Sequence, residues 1–168
     1  MSASSISAEL KALLLASPQL SVATAESLTC GRVQARIGEI SGASEYFRGG
    51  ITAYTLDQKV RHLAVDRAHA RKVDCVSPRV AAQMARGACK LFRSDLGLAT
   101  TGYASSAPDG AQPYACWALA HVRRGRVVAL HGGRVECPGA SRVEVQTLVA
   151  DAVLTELAEY LRALRGMK

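Results

Sequence analysis

The sequence predicts a single α/β domain over residues 1–168, folded as a three-layer α/β/α sandwich around a mixed sheet. Strand-like and helix-like segments alternate along the chain, a pattern typical of helices packed on both faces of a sheet. Two apolar runs flank Arg123-Arg124-Gly125, which is the composition of a hairpin, so part of the sheet should be antiparallel. A length of 168 residues with no linker or low-complexity tract favours one domain.

Each predicted element rests on a local pattern. Ile6, Leu10, Leu13 and Leu14 share one helical face, and this first helix should end near Ser17-Pro18. Ser77-Pro78 predicts a helix start, because serine caps free N–H groups and proline at the first helical position has none to satisfy. The other segments are strands at 20–25, 51–55 (after a loop ending at 49–50) and 96–101, helices at 29–37 and 56–65, hairpin strands at 115–122 and 126–130, and a final helix with an apolar stripe over 145–164.

Charge and cysteine content bound the class of protein. The formal net charge is +7, largely from arginine, which favours contact with phosphate or carboxylate but also occurs on solvated helix faces. The five cysteines form no C-x-x-C pair and have no histidine at metal-ligand spacing, so we expect reduced thiols and no metal. No segment predicts a signal peptide or a membrane span, and we expect a cytoplasmic protein.

The segment TAESLTCG (residues 24–31) lies where a strand leads into a helix. A helix N-terminus offers unpaired N–H donors and partial positive charge, so a nucleophile placed there would find an oxyanion site beside it. Ser27 is the natural nucleophile. The alternative is that Ser27 and Thr29 serve simply as helix caps.

A serine nucleophile needs a base, and the four histidines do not suggest a triad. Tyr54 lies at the end of the second predicted strand, 51–55, and Lys59 follows five residues later, so both can face the sheet edge from which Ser27 emerges. A lysine acts as a base if burial or nearby positive charge lowers its pKa. The alternative for Lys59 is an ordinary solvated lysine.

Two further features have competing interpretations. Cys30 lies in the same turn as Ser27 and is a candidate nucleophile, but without a histidine partner it is better explained as a passive thiol.

The hairpin has a basic patch, with no acidic residue between Ala120 and Val135, that could contact nucleic acid. No aromatic residues interleave with these charges, so we favour a solvated face and do not expect nucleic-acid binding. The patch comprises His121, Arg123, Arg124, Arg126, His131 and Arg134.

Four collinear pieces of sequence carry a resemblance to a known family. They read ATAESLTCG, SEYFRGGITAYTLDQKVRHLAV, VSPRVAAQMARGA, and LATTGYAS followed by APDG. Together they resemble the CinA C-terminal domain family, in that family's order and spacing, from about Leu20 to Leu154.

The resemblance implies an amidohydrolase that converts nicotinamide mononucleotide to nicotinic acid mononucleotide and ammonia, with no metal or cofactor. It implies Ser27 as nucleophile, Lys59 as base and Tyr54 as its assistant, which could relay the proton or help keep Lys59 uncharged. Backbone N–H groups of residues 29–31 would stabilise the oxyanion. The expected substrate-binding residues are Thr29, Cys30, Gly31, Thr101, Gly102 and Arg142.

The chain departs from the family pattern around this trio. Cys30 stands where the family has glycine, and the loop at 101–110 is in effect two residues longer and lacks one glycine. Larger residues occupy the strand entry at 113–117, and Gln146 replaces the second arginine of an R-x-x-x-R pair, so nucleotide binding should weaken. The alternative function is therefore a catalytically silent relative that binds a small ligand or a protein. The resemblance also implies a homodimer or higher homo-oligomer.

Overall fold

A computed structural model describes residues 3–167 of the chain. Its helices are α1 (Ala3–Leu15), α2 (Arg32–Gly38), α3 (Leu56–Leu63), α4 (Arg67–Lys72), α5 (Pro78–Phe92) and α6 (Arg142–Leu164), with a 3-10 turn at Ala43–Glu45. Its strands are β1 (Val22–Glu26), β2 (Phe47–Thr52), β3 (Leu96–Tyr103), β4 (Tyr114–Arg123) and β5 (Arg126–Glu136).

The five strands form one mixed sheet in the order β2-β1-β3-β4-β5. β1 runs parallel to both β2 and β3, whereas β3, β4 and β5 are joined by antiparallel ladders. Parallel neighbours need crossover connections, whereas the two antiparallel pairs are joined without one, by the loop at 104–113 between β3 and β4 and by the turn at 124–125 between β4 and β5. The predicted mixed-sheet sandwich with one hairpin is confirmed.

The two faces of the sheet carry side chains of different size. Val22, Leu96, Leu98, Trp117 and Leu119 pack on one face with α1, α2 and α6. The opposite face presents small side chains to α5: Ala23, Ala25, Ala99, Cys116, Ala118 and Ala120. Because strand residues alternate between faces, this division follows directly from the sequence. The small residues let α5 lie close to the strands.

Three details of the chain differ from the sequence prediction. Gly49-Gly50 does not end a loop but lies within β2, where a side chain at Gly50 would collide with Thr24 and Gln34. The hairpin strands extend beyond the predicted 115–122 and 126–130. A short helix, α4, follows α3, and the side chain of Asp66 caps it by accepting hydrogen bonds from two backbone N–H groups.

None of the helices within residues 3–167 combines the length and apolar character needed to cross a membrane.

The sheet topology determines where a site can form. β1 and β2 end at Glu26 and Thr52, and the parallel strand β3 ends at the same edge with Tyr103. In open α/β sheets, ligands bind in the crevice beyond the carboxyl ends of parallel strands. Ser27, Tyr54 and Thr101 therefore lie at this edge together.

Candidate active site

Ser27 lies in a tight turn that begins where β1 ends. Its backbone N–H donates to the Thr100 carbonyl of β3 at 3.0 Å, so the turn is tied to the centre of the sheet. The side chain of Ser27 is 7% exposed and lines an open pocket. The turn therefore brings Ser27 to the wall of this pocket.

Glu26 fixes the geometry of this turn. Its fully buried carboxylate accepts hydrogen bonds from the Thr29 hydroxyl at 2.7 Å and from the N–H groups of Gly31 at 2.9 Å, Val33 at 3.1 Å and Gln34 at 2.8 Å. These N–H groups belong to the first turn of α2, which has no other side-chain cap. The negative charge is therefore stabilised by the amides and partial positive charge of the helix N-terminus.

Lys59 brings the second reactive group to Ser27. It lies on α3 and is 1% exposed, and its Nζ is 2.8 Å from the Ser27 Oγ and 2.7 Å from the Tyr54 carbonyl oxygen. No carboxylate of residues 3–167 forms a salt bridge with it. The amine is consequently held by two neutral oxygens.

Burial lowers the pKa of the Lys59 ammonium, and the nearby Cys75 and Asp74 oppose this effect. A buried cation without a bonded counter-ion loses hydration that two neutral acceptors do not replace, so the uncharged amine is favoured. An uncharged amine has the lone pair that a general base requires.

The structure modifies the expected role of Tyr54. Its backbone carbonyl contacts Lys59, but its hydroxyl accepts a hydrogen bond from the Arg142 guanidinium at 2.6 Å. The phenol is thus committed to Arg142 rather than to the amine of Lys59. The expected proton relay through this hydroxyl has no support in this arrangement, because the contact runs through the main chain.

A pocket of about 450 Å³ opens beside the Ser27–Lys59 pair. Its volume is within the range of small-molecule sites, about 300–1,000 Å³. Trp117 does not fill it, because that side chain is buried in the core cluster and is not among the residues that line the pocket. The residues that line it are Ser27, Leu28, Tyr54, Thr55, Leu56, Lys59, Asp74, Cys75, Val76, Arg142 and the segment 101–106.

Tyr103 forms part of the pocket wall without closing it. Its hydroxyl donates to the Asp74 carboxylate at 3.1 Å, and its ring packs edge-to-face on Tyr114. Burial and the bond to Asp74 raise the pKa of Tyr103 to about 12, so it stays a neutral donor near neutral pH. Ser105 and Ser106, from the longer loop, complete this wall.

The six predicted substrate-binding residues divide into two groups. Thr101, Gly102 and Arg142 line the pocket. Thr29, Cys30 and Gly31 do not, because the turn carries them away from the pocket and into the cap of α2. Thr29 is fully buried and bonds to Glu26 and Thr100, and Cys30 is exposed.

The expected oxyanion donors also need correction. The N–H of Cys30 donates to the Ser27 carbonyl, and that of Gly31 donates to Glu26. Leu28 lines the pocket directly after Ser27, and its N–H has no acceptor among residues 3–167. The N–H of Thr29 also has no acceptor among these residues, but Thr29 is fully buried and does not line the pocket, so the donor that can face a developing oxyanion is the N–H of Leu28.

Two other expectations are resolved by position. Gln146 is buried at 7% exposure and does not line the pocket, so the glutamine there is not a lost contact of the pocket wall. His121 does not belong to a solvated basic face, since it is buried and bonds to the Tyr160 hydroxyl at 2.6 Å. Arg134 of the same patch pairs with Glu136 and lies over the Tyr114 ring.

The sequence interpretation did not identify Glu26, Asp74 or Cys75 as parts of the site. Glu26 was visible as the acidic residue directly before the nucleophile, at a helix start where a carboxylate is favourable. Asp74 and Cys75 reach the pocket because two successive residues adopt left-handed backbone, with φ of 47° and 61°. Asp tolerates that conformation better than most residues, but Cys seldom adopts it and two such residues in succession are uncommon, so the sequence carried no clear signal for this turn.

Comparison with known proteins places the chain among its relatives. The family model described as the CinA C-terminal domain matches residues 4–161. The chain belongs to the CinA C-terminal domain family. The predicted resemblance, which was traced from about Leu20 to Leu154, is confirmed over a longer stretch.

Relatives and solved structures agree with this assignment. The CinA domain is 34% identical over 156 residues to a CinA-like protein of Chlorobium limicola, an alignment that covers 91% of this chain and 36% of that protein. A crystal structure of a CinA superfamily protein from Klebsiella pneumoniae matches with a TM-score of 0.87 at 20% identity, covering 97% and 99% of the two chains. A competence/damage inducible protein from Agrobacterium tumefaciens matches with a TM-score of 0.81 at 26% identity, covering 94% and 95%. The CinA domain spans 22% to 36% of the length of the curated relatives it matches.

Proposed function

We propose that this CinA domain hydrolyses the carboxamide of nicotinamide mononucleotide, giving nicotinic acid mononucleotide and ammonia. The observation that carries the proposal is the 2.8 Å contact between the Lys59 Nζ and the Ser27 Oγ at the wall of an open pocket. A nucleophile within hydrogen-bond reach of a base whose pKa is lowered is the arrangement that acyl transfer requires.

In the first half of the reaction, the neutral Lys59 amine accepts the Ser27 proton while the Ser27 oxygen attacks the carboxamide carbon. The resulting tetrahedral intermediate carries its negative charge on the former carbonyl oxygen. When the C–N bond breaks, the proton held by Lys59 moves to the leaving nitrogen, and ammonia departs. An ester of Ser27 remains, and the Lys59 amine is neutral again.

In the second half, Lys59 takes a proton from a water molecule that attacks the ester carbon. Collapse of this intermediate breaks the bond to Ser27, whose oxygen recovers a proton from Lys59, and the carboxylic acid is released. The backbone N–H of Leu28 is placed to stabilise both oxyanions, because it follows the nucleophile and has no acceptor among the described residues.

Recognition of the nucleotide is assigned to Arg142, at the N-terminus of α6. It is the arginine among the pocket-lining residues, and the Tyr54 hydroxyl holds its guanidinium at 2.6 Å. Arginine matches phosphate geometry with paired donors, so it suits the phosphate of a mononucleotide. The five free thiols support a cytoplasmic location as part of the proposal.

The test is ammonia release from nicotinamide mononucleotide by the wild type, Ser27→Ala and Lys59→Met. We expect each variant to lose activity by about a thousandfold or more, since groups that act as a unit fail together. Ser44→Ala and Lys72→Met are matched controls at exposed positions outside the pocket, and they should retain full activity.

Failure of these variants to differ from wild type would refute the mechanism. The competing function is a silent relative that binds a small ligand or a protein through the same pocket. It predicts no turnover of nicotinamide mononucleotide or of a panel of related amides, together with ligand binding that survives Ser27→Ala.

A further inference from the structure

A second concave site lies at the opposite end of β3 from Ser27. It is a cavity of about 590 Å³, and it is lined by residues from three places: the end of α5, the start of β3 and the β4–β5 turn. The lining residues are Arg86, Cys89, Lys90, Arg93, Ser94, Asp95, Val122, Arg124, Gly125 and Val127. Four of them are cationic, and a single one is acidic.

The four cations come from two separate parts of the chain. Arg86 and Lys90 lie one turn apart on α5, and Arg93 follows its end with φ of 52°. Arg124 comes from the hairpin turn, with φ of 51°. The left-handed backbone at Arg93 and Arg124 is unusual for arginine and gives each chain segment a sharp reversal at the cavity. The convergence is thus a product of the tertiary fold rather than of one helix.

These cations are not neutralised within the protein. Among residues 3–167, the side chains of Arg86, Lys90, Arg93 and Arg124 form no salt bridge or hydrogen bond, whereas other arginines, such as Arg79, pair with carboxylates. The one carboxylate that lines the cavity, that of Asp95, accepts hydrogen bonds from the Ser21 N–H at 2.8 Å and from the Ser21 hydroxyl at 2.6 Å.

The cavity floor adds no further negative charge. Burial raises the pKa of the Cys89 thiol to about 11, so it remains protonated at neutral pH. The cavity therefore has a net positive charge in a concave surface with low-dielectric walls, which focuses the electrostatic potential on whatever enters it.

Helix stability does not account for this arrangement. Cations near a helix C-terminus offset the macrodipole, and this explains Lys90 and Arg93 in part. It does not explain Arg124, which belongs to the hairpin, or the cavity that lies between them. A ligand with several negative charges accounts for all four cations together.

We propose that this cavity binds a small polyanion that carries two or more linked phosphate groups. The site is separate from the proposed active site and does not depend on it. The shared chemistry is that of an inorganic polyphosphate or of the polyphosphate chain of a nucleotide. A nucleic-acid strand is a poorer match, because no aromatic side chain lines the cavity for base stacking.

Isothermal titration calorimetry on the full chain at about 0.15 M salt tests the proposal. The probes are inorganic tripolyphosphate, a nucleoside triphosphate and a single-stranded DNA oligonucleotide. The test variant is Lys90→Gln/Arg124→Asn, in which glutamine suits a helix and asparagine tolerates the left-handed turn. The control is Lys72→Gln/Arg126→Gln, which removes the same charge at exposed positions outside the cavity.

We expect the test variant to bind tripolyphosphate at least about tenfold more weakly than wild type, since it loses two charge-assisted contacts, and the control to bind as wild type does. Thermal unfolding verifies that both variants are folded. Tighter binding of the nucleoside triphosphate than of tripolyphosphate identifies a nucleotide, and equal affinity identifies the polyphosphate chain.

Three results would overturn the proposal. They are equal weakening in the test and control variants, absence of binding by both phosphate probes, and loss of binding in Arg142→Gln, which would locate the anion in the Ser27 pocket instead. If the oligonucleotide binds and neither phosphate probe does, the polyanion proposal also fails, and the cavity belongs to a nucleic-acid surface. Each of these results leaves the amidase test with Ser27→Ala unaffected.

Discussion

Replacement of Glu26 should destabilise the whole domain, because one carboxylate organises the turn that carries Ser27. Glu26→Ala removes the acceptor of three backbone N–H groups, at Gly31, Val33 and Gln34. A buried donor without a partner costs about 1–3 kcal/mol. Val33 is fully buried, whereas Gly31 and Gln34 are half-buried and can recover part of the loss from water.

From these contacts we expect Glu26→Ala to lower the free energy of unfolding by about 3–5 kcal/mol. Glu26→Gln keeps one acceptor oxygen, which at the Oε2 position can still accept from Thr29, Gly31 and Val33. Its amide group then takes the Oε1 position and faces the N–H of Gln34. Its expected loss is smaller, about 1–3 kcal/mol. The graded order of the two variants is itself part of the prediction.

The measurement is urea unfolding followed by fluorescence, for which Trp117, the chain's one tryptophan, is a suitable probe because it is buried in the core. Glu39→Ala is the matched control, since Glu39 is an exposed glutamate at the other end of α2 and should change stability by less than about 0.5 kcal/mol. A loss below about 1 kcal/mol in Glu26→Ala, or an equal loss in the control, would refute the capping argument.

Three further outcomes are expected. The rate of amide hydrolysis should rise with pH through the lowered pKa of Lys59 and level off below its ordinary value of 10.5, because the neutral amine is the active form. The unfolded chain binds this proton more tightly, so the free energy of unfolding should rise with pH from the lowered pKa up to about 10.5. A rate that is flat from about pH 6 to 10 would contradict the first statement, and a free energy of unfolding that does not rise with pH in that interval would contradict the second. Tyr54→Phe keeps the backbone carbonyl that contacts Lys59 but removes the hydroxyl that holds Arg142. The lost hydrogen bond is worth about 1 kcal/mol, so KM should rise about fivefold while kcat stays nearly unchanged. A fall in kcat without a change in KM would instead support a proton relay through the Tyr54 hydroxyl. Gly87→Ala should lower the melting temperature, because the added Cβ would lie 2.5 Å from the Leu63 carbonyl oxygen. Such overpacking costs about 1–3 kcal/mol, which outweighs the gain of about 1 kcal/mol in helix propensity from glycine to alanine. A stabilised variant would show that α3 can shift away from α5 freely.

The fold was accessible from the sequence where one local signal decided the element. Ser77-Pro78 marked the start of α5 because the capping hydroxyl acts within one turn, and the structure shows that hydroxyl 3.2 Å from the Val80 N–H. The Gly49-Gly50 pair misled for the converse reason. Glycine favours turns locally, but here it permits close packing of β2 against Thr24, a tertiary requirement invisible in the local sequence.

The features of the candidate site also differ in whether the sequence alone could predict them. The Ser27–Lys59 proximity followed from topology, since residues after neighbouring parallel strands meet at one edge. The misassigned oxyanion donors did not, because the sequence could not show that Glu26 would fold back and consume the N–H of Gly31. Whether an N–H group is free depends on every acceptor around it, which is a property of the completed structure.

The central strand β3 separates the two cavities of this CinA domain. It has eight residues, which at about 3.3 Å per residue span roughly 26 Å. β1 and β4 are hydrogen-bonded along its two sides, so sliding β3 would break two ladders at once. The strand behaves as a stiff spacer, and we therefore expect saturation of one cavity to leave the affinity of the other unchanged. Communication between them, if measured, would have to travel through α5 and α3, which can move without dismantling the sheet.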